Sequence, residues 1–176
     1  MKTPICSFDA KTGTLCSRCE DKLRSGHLTQ VDVECAVKLV KLAEHDQEIN
    51  KFTMVNAYQV NGDVVLVLQK SDLSTLRSNA QLARRIQAQF QSKVWFIEAE
   101  ASDKRFLENL FFPARILTIN LIWLPDGNKL TKVIIAAQNM RVSDINVEQI
   151  QKITKTVRNI ELLVDLESNR RYNGGR

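Results

Sequence analysis

The chain is poor in the residues that usually converge on a catalytic pocket. Of its 176 residues only two are histidine, His27 and His45, and aromatics make up 6%. Neither histidine stands in a recognisable catalytic setting, and the sequence holds no Gly-rich phosphate loop and no Gly-x-Ser-x-Gly nucleophile elbow. Asp103, Asp126, Asp144 and Asp165 are scattered at expected turns and element ends, where aspartate serves local capping. These absences point away from an enzyme, from an organic cofactor and from a small-molecule substrate. No apolar run approaches the ~18 residues of a membrane span. The start, Met1-Lys2-Thr3-Pro4-Ile5-Cys6, lacks the apolar core of a signal peptide. A cytoplasmic protein with no membrane partner is therefore expected.

What the chain does have is a cluster of cysteines. Three of its four lie in the first nineteen residues, Cys6, Cys16 and Cys19, spaced C-x9-C-x2-C. A CxxC turn lets two thiolates face one ion, and zinc favours four such soft ligands in a tetrahedron. Residues 1–28 are polar and too short for a core of their own, so one structural zinc would explain their folding. For the fourth ligand Cys35 and His27 are candidates, with Asp9 a weaker third. Other readings remain open: a redox pair, though the βαβ context is missing, or, for Cys35, a small buried hydrophobe beside Leu39 and Leu42. A disulfide does not suit a reducing cytoplasm.

Beyond residue 28 the same order of elements can be read twice, over about 29–98 and 102–167, which makes the chain α+β. Thr29 is a candidate N-cap with Asp32 at N3, and Cys35, Ala36, Leu39, Val40, Leu42 and Ala43 follow at helical spacing, with the helix expected to end near 48–50. Residues 52–60 alternate as a strand, Asn61-Gly62-Asp63 makes a hairpin turn, and 64–68 returns as a buried strand. Ser71 or Asp72 is expected to cap a short helix ending near Leu76. A second helix carries Leu82, Ile86 and Phe90 on one face, and 94–97 is a strand. In the second half, 103–112 is helical up to Pro113. Residues 114–124 form an apolar strand, Pro125-Asp126-Gly127-Asn128 a turn and 130–137 a returning strand. A helical turn over 138–145, a helix over 146–157 and a strand over 160–166 follow. Trp95, Phe96 and Trp123 fall inside strands and are expected in the core.

The order α-β-β-α-α-β, with the phrases Phe112-Pro113-Ala114-Arg115-Ile116-Leu117, Trp123-Leu124-Pro125-Asp126-Gly127 and Asp9-Ala10-Lys11-Thr12-Gly13, resembles the archaeal NusA-like tandem KH-domain proteins. The resemblance covers most of the chain. It implies two tandem type II KH-like units at 29–100 and 101–167, a zinc-knuckle-like hairpin before them, and a basic disordered tail over 168–176. In that family a Gly-x-x-Gly loop lets the backbone approach nucleic acid closely. Here the matching stretch is Arg77-Ser78-Asn79-Ala80, and no glycine stands there or at 142–146.

What the resemblance further implies is single-stranded RNA as partner, with a role in transcription elongation or termination on RNA polymerase, or on the ribosome. The net charge of +5 permits a polyanion without demanding one. Candidate RNA contacts are Lys70, Arg77, Ser78, Asn79, Arg84 and Arg85 in the first unit, and Arg115, Lys129, Lys132 and Arg141 in the second. Asn79 is a candidate for a left-handed turn. The rival expectation is a docking module that keeps the fold and has lost direct RNA binding.

Overall fold

The computed structural model describes residues 1–125, 127–136 and 145–167. Among them the chain is mixed α+β, with seven α-helices and two three-stranded sheets. It divides into two compact units, Met1–Asn109 and Leu110–Arg176. No helix of the described residues is long and apolar enough to cross a membrane.

The first unit opens with two short helices, α1 (Ser7–Thr12) and α2 (Ser17–Arg24), followed by α3 (Gln30–Ala43). Thr29 and Asp32 form a full capping box: the Asp32 N–H donates to Thr29 Oγ1 at 3.1 Å, and the Thr29 N–H donates back to Asp32 Oδ2 at 2.8 Å. Asp32 is buried, and its other oxygen accepts the N–H of Ala57 at 2.6 Å, tying the helix start to the middle of a strand. The helix ends earlier than its periodicity predicts. Asp46, itself buried, accepts the N–H groups of Glu48 and Ile49 at 3.1 and 3.3 Å, and this turn drops the fully buried Ile49 into the core.

The strands β1 (Met54–Val60) and β2 (Asp63–Leu68) pair antiparallel around Asn61 and Gly62. Both turn residues have positive φ, 51° and 90°, as a tight two-residue hairpin needs. Next come α4 (Lys70–Ser78), α5 (Ala80–Gln87) and β3 (Val94–Glu98), which lies parallel to β2. The sheet order is β1-β2-β3. As the central strand, β2 is buried almost throughout, which explains its unbroken Val-Val-Leu-Val-Leu run. Val64, Leu66 and Leu68 join Ala36, Leu39 and Val40 of α3 and Leu82 and Ile86 of α5 in one apolar cluster. Each such valine, leucine or isoleucine contributes about 1.5–3 kcal/mol when fully buried. Neither Ser71 nor Asp72 caps α4. Gln69 is the N-cap, and Asp72 instead accepts the Thr53 N–H at 2.7 Å, because its place in the first turn faces the strand entry.

The second unit repeats the sheet topology. Helix α6 (Asp103–Phe111) runs across the division between the units and ends before Pro113. Strands β4 (Ile116–Trp123) and β5 (Lys129–Ile135) pair antiparallel, and β6 (Glu161–Leu166) runs parallel to β5 after α7 (Val147–Arg158). Asn146 caps α7 by accepting the Gln149 N–H at 3.0 Å, and Asn159 ends it in the left-handed conformation. Val133, Ile135, Ile150, Ile153 and Leu162 are buried. Trp123, expected inside, is 63% exposed, because β4 is an edge strand and its end reaches beyond the buried residues of β5 and β6. The helical turn expected over 138–145 and the tail fall almost wholly outside the described residues, as does Asp126 of the β4–β5 turn.

Candidate metal centre

Two helix starts build one cluster. Cys6 is the N-cap of α1 and Asp9 its third residue; Cys16 is the N-cap of α2 and Cys19 its third residue. The two turns read Cys6-Ser7-Phe8-Asp9 and Cys16-Ser17-Arg18-Cys19, so Asp9 occupies the place that the second cysteine fills in the other turn. The donor atoms of Cys6, Asp9, Cys16 and Cys19 all lie within 4.8 Å of one another. A tetrahedral zinc with ~2.3 Å bonds to sulfur needs sulfurs about 3.8 Å apart, so a small contraction would close the site. Both helix N-termini point their N–H groups toward the cluster, which favours the negative charge that thiolates and a carboxylate bring. The Asp9 N–H donates to Cys6 Sγ at 3.5 Å, and the Cys16 N–H to Asp9 Oδ2 at 3.1 Å.

The donor set fits a cation on one further observation. Asp9 Oδ1 is buried and has no hydrogen-bond partner, a cost of about 1–3 kcal/mol that a bound ion would remove. The Cys19 thiol beside it holds the Asp9 carboxyl down at about 2, against the effect of burial. Burial and then the Asp9 carboxylate push Cys19 up to about 12. Without a metal Asp9 is thus a carboxylate beside a protonated Cys19 thiol. A divalent ion would favour thiolate at the same place.

The two ligands ranked ahead of Asp9 from sequence do not join the cluster. Cys35 lies within α3, 2% exposed, in the apolar cluster of the first unit. His27 is exposed, with its Nδ1 2.9 Å from Ser25 Oγ. The signal that would have found Asp9 is the repeated Cys-Ser-x-ligand turn. Residues 1–28 share the core of the residues that follow. Ile5, Ala10, Cys19 and Leu28 are buried in the same apolar cluster as α3, and Lys2 bridges to Thr53 through bonds to Phe52 O and from Met54 N at 2.9 and 3.0 Å.

Of the basic candidates, several are engaged within the chain. Arg77 donates to Asn109 Oδ1 at 2.5 Å, and burial followed by the neighbouring Arg105 lowers its pKa. Arg85 lies 2.7 Å from Asp46 and 3.6 Å from Glu48. Lys132 pairs with Asp165 at 2.6 Å. Lys129 sits 4.4 Å over the Trp123 ring. Lys70, Ser78, Arg84 and Arg115 are exposed, and Arg141 lies outside the described residues. Asn79 does not take the left-handed turn. Its φ is −128°, because it ends α4 and caps α5, accepting the Gln81 N–H at 3.1 Å.

No protein-family model matches the chain, and no curated protein matches it. One solved structure similar to it is titled "Crystal structure of APE1850", at 13% identity and a TM-score of 0.45, over 73% of this chain and 94% of that one. A likeness that distant carries no argument about function.

Proposed function

We propose that the chain is a single-stranded-RNA-binding protein built from two degenerate type II KH-like units, with an N-terminal hairpin held by one structural zinc. The observation that carries this reading is the repeated sheet: in each unit an antiparallel pair is followed, across helix, by a third strand parallel to the second. In the first unit the full order α3-β1-β2-α4-α5-β3 matches that of a type II KH domain. The connector Arg77-Ser78-Asn79-Ala80 stands where a KH loop meets RNA, without the glycines that allow close backbone approach. Affinity would therefore rest on side chains reaching phosphates, with Lys70 and Arg84 exposed candidates in the first unit and Arg115 and Lys129 in the second. Such a protein would serve transcription elongation or termination, or the ribosome, by fixing the path of an RNA rather than by chemistry.

The second reading is a docking module on RNA polymerase or the ribosome that no longer holds RNA. It is favoured by the engagement of Arg77, Arg85 and Lys132 with the chain's own residues. Titration of a labelled single-stranded RNA at rising salt separates the two. The RNA reading predicts binding at low salt that weakens steeply. It also predicts that Lys70→Ala with Arg84→Ala lowers the salt slope by about 0.7 for each phosphate no longer neutralised. No binding at low salt leaves the docking reading.

A further inference from the structure

Between α3, the β1–β2 hairpin and the segment that joins α5 to β3, the first unit holds a cleft of about 500 Å³. Clefts that take small ligands measure roughly 300–1,000 Å³. Val31, Val64 and Phe90 give this one an apolar lining. Gln59, Gln89 and Gln91 line it too, and none of their side-chain amides has a hydrogen-bond partner among the described residues. The wall that carries Gln89 and Gln91 is braced. Gln87 accepts the Val94 N–H at 2.8 Å and donates to Ser92 O at 2.7 Å. Glu34 and Lys38 flank the cleft from α3. Four residues apart on a helix, they would ordinarily pair with each other. Here Lys38 Nζ lies 5.0 Å from the centre of the Phe90 ring, and Glu34 accepts the Gln30 amide at 3.3 Å.

We propose that this cleft holds one adenine base, unstacked from a single-stranded RNA. The inference deepens the RNA-binding reading and rests on it. Neutral amides add little to phosphate affinity, so their convergence points to the edge of a base. A carboxamide sets a donor beside an acceptor, the pattern that adenine matches at N6 and N7. The N6 amino group has two N–H groups. One meets a glutamine oxygen and the other the Glu34 carboxylate, which can only accept. Uracil has a single N–H on its pairing edge and leaves one of these acceptors unmet. Lys38 brings a cation to the mouth of the cleft for the adjoining phosphate. Position favours the same occupant. The connector at 77–80 and the cleft stand at opposite ends of α5, whose eight residues span ~12 Å. The exposed Arg84 lies between them. An RNA held at the connector therefore reaches the cleft along one helix.

The test compares a labelled oligouridylate with the same oligomer carrying one central adenine, each titrated with the full chain at low salt. Wild type is expected to bind the adenine-bearing oligomer about fivefold or more tightly. Gln59 and Gln91 are exposed, so Gln59→Leu with Gln91→Leu keeps their shape and leaves the core alone. In that variant the two oligomers are expected to bind alike. A thermal melt by circular dichroism checks the fold, and a damaged fold would weaken both oligomers together. Equal binding of the two oligomers by wild type overturns the inference and leaves the RNA reading standing. So does a variant that keeps the preference. If neither oligomer binds, the RNA reading fails, and adenosine monophosphate decides the cleft by itself. Saturable shifts in the side-chain amide resonances of Gln59, Gln89 and Gln91, absent with uridine monophosphate, establish an adenine site for a free nucleotide. Unmoved amide resonances with both nucleotides then overturn the cleft as well.

Discussion

Replacing Asp9 by Asn tests the metal centre through a stability change that depends on zinc. Asparagine keeps the shape of aspartate and can still accept the Cys16 N–H that Asp9 Oδ2 now accepts at 3.1 Å. It removes the charge, and it places an amide where Oδ1 is buried without a partner. If no ion binds, the substitution trades relief of an unsatisfied buried acceptor against loss of the Cys19 thiol's bond to a charged oxygen, and the change in stability is the same in zinc and in chelator. If zinc binds, an anionic ligand is lost from a four-donor set. A roughly 100-fold weaker dissociation constant then lowers stability by about 2.7 kcal/mol at a fixed free zinc level that saturates the wild type. Urea unfolding in buffered zinc and again in chelator gives both numbers. Hydrogen exchange over 6–19 should show the loss confined to the hairpin, because Ile5, Ala10 and Leu28 pack in the cluster that α3 anchors. The wild type should carry about one zinc per chain, lost on Cys16→Ser with Cys19→Ser. A wild type equally stable in zinc and chelator refutes the centre, and an Asp9→Asn protein with undiminished zinc affinity refutes Asp9 as its fourth ligand.

Asp32→Ala should cost about 2–4 kcal/mol, since it deletes both the capping box and the charge-assisted bond to the Ala57 N–H. Fluorescence is a suitable probe: Trp95 is buried with its indole N–H on Asp63, while Trp123 is already exposed and changes little on unfolding. Arg85→Ala should cost about 1–2 kcal/mol, because it leaves the nearly buried Asp46 without its cation, discounted for the half-exposed arginine. RNA affinity should stay as in wild type, and a selective loss of binding with no change in melting would contradict that assignment. Cys35 gives a pH signature. Burial first, with Asp32 and Glu34 adding and Lys38 opposing, raises its thiol from 9.0 to about 12. A group raised in the folded state contributes in full below its unfolded value and is lost as pH rises, so stability should fall between about 9 and 12. Metal-free Cys35→Ala protein should show a shallower alkaline decline by the same denaturation assay.

Much of the architecture was legible because it is written in local patterns. Thr29 and Asp32 announce a helix start, Asn61-Gly62 a tight hairpin, and the apolar run of β2 a strand covered on both faces. The three cysteines drew attention to the hairpin for the same reason, since CxxC is a contiguous signal. The fourth member, Asp9, was harder to see. An aspartate three residues into a helix has a routine capping use, and only the approach of two helix starts in space turns it toward thiols. Asp46 was missed likewise, because an aspartate that stops a helix has the same sequence appearance as one on a solvated face.

By itself the sequence determined most of the kinds and order of elements beyond residue 28, the repeated strand order and the cysteine spacing. Tertiary structure decided which polar groups meet. It sent Cys35 into the core and Asp9 to the cluster, turned Arg85 onto Asp46, and left Trp123 at an edge. The physical reason is range. Periodicity, caps and turns depend on neighbours within a few residues, whereas burial and charge partners depend on segments that pack across the chain and carry no mark of one another in their spacing.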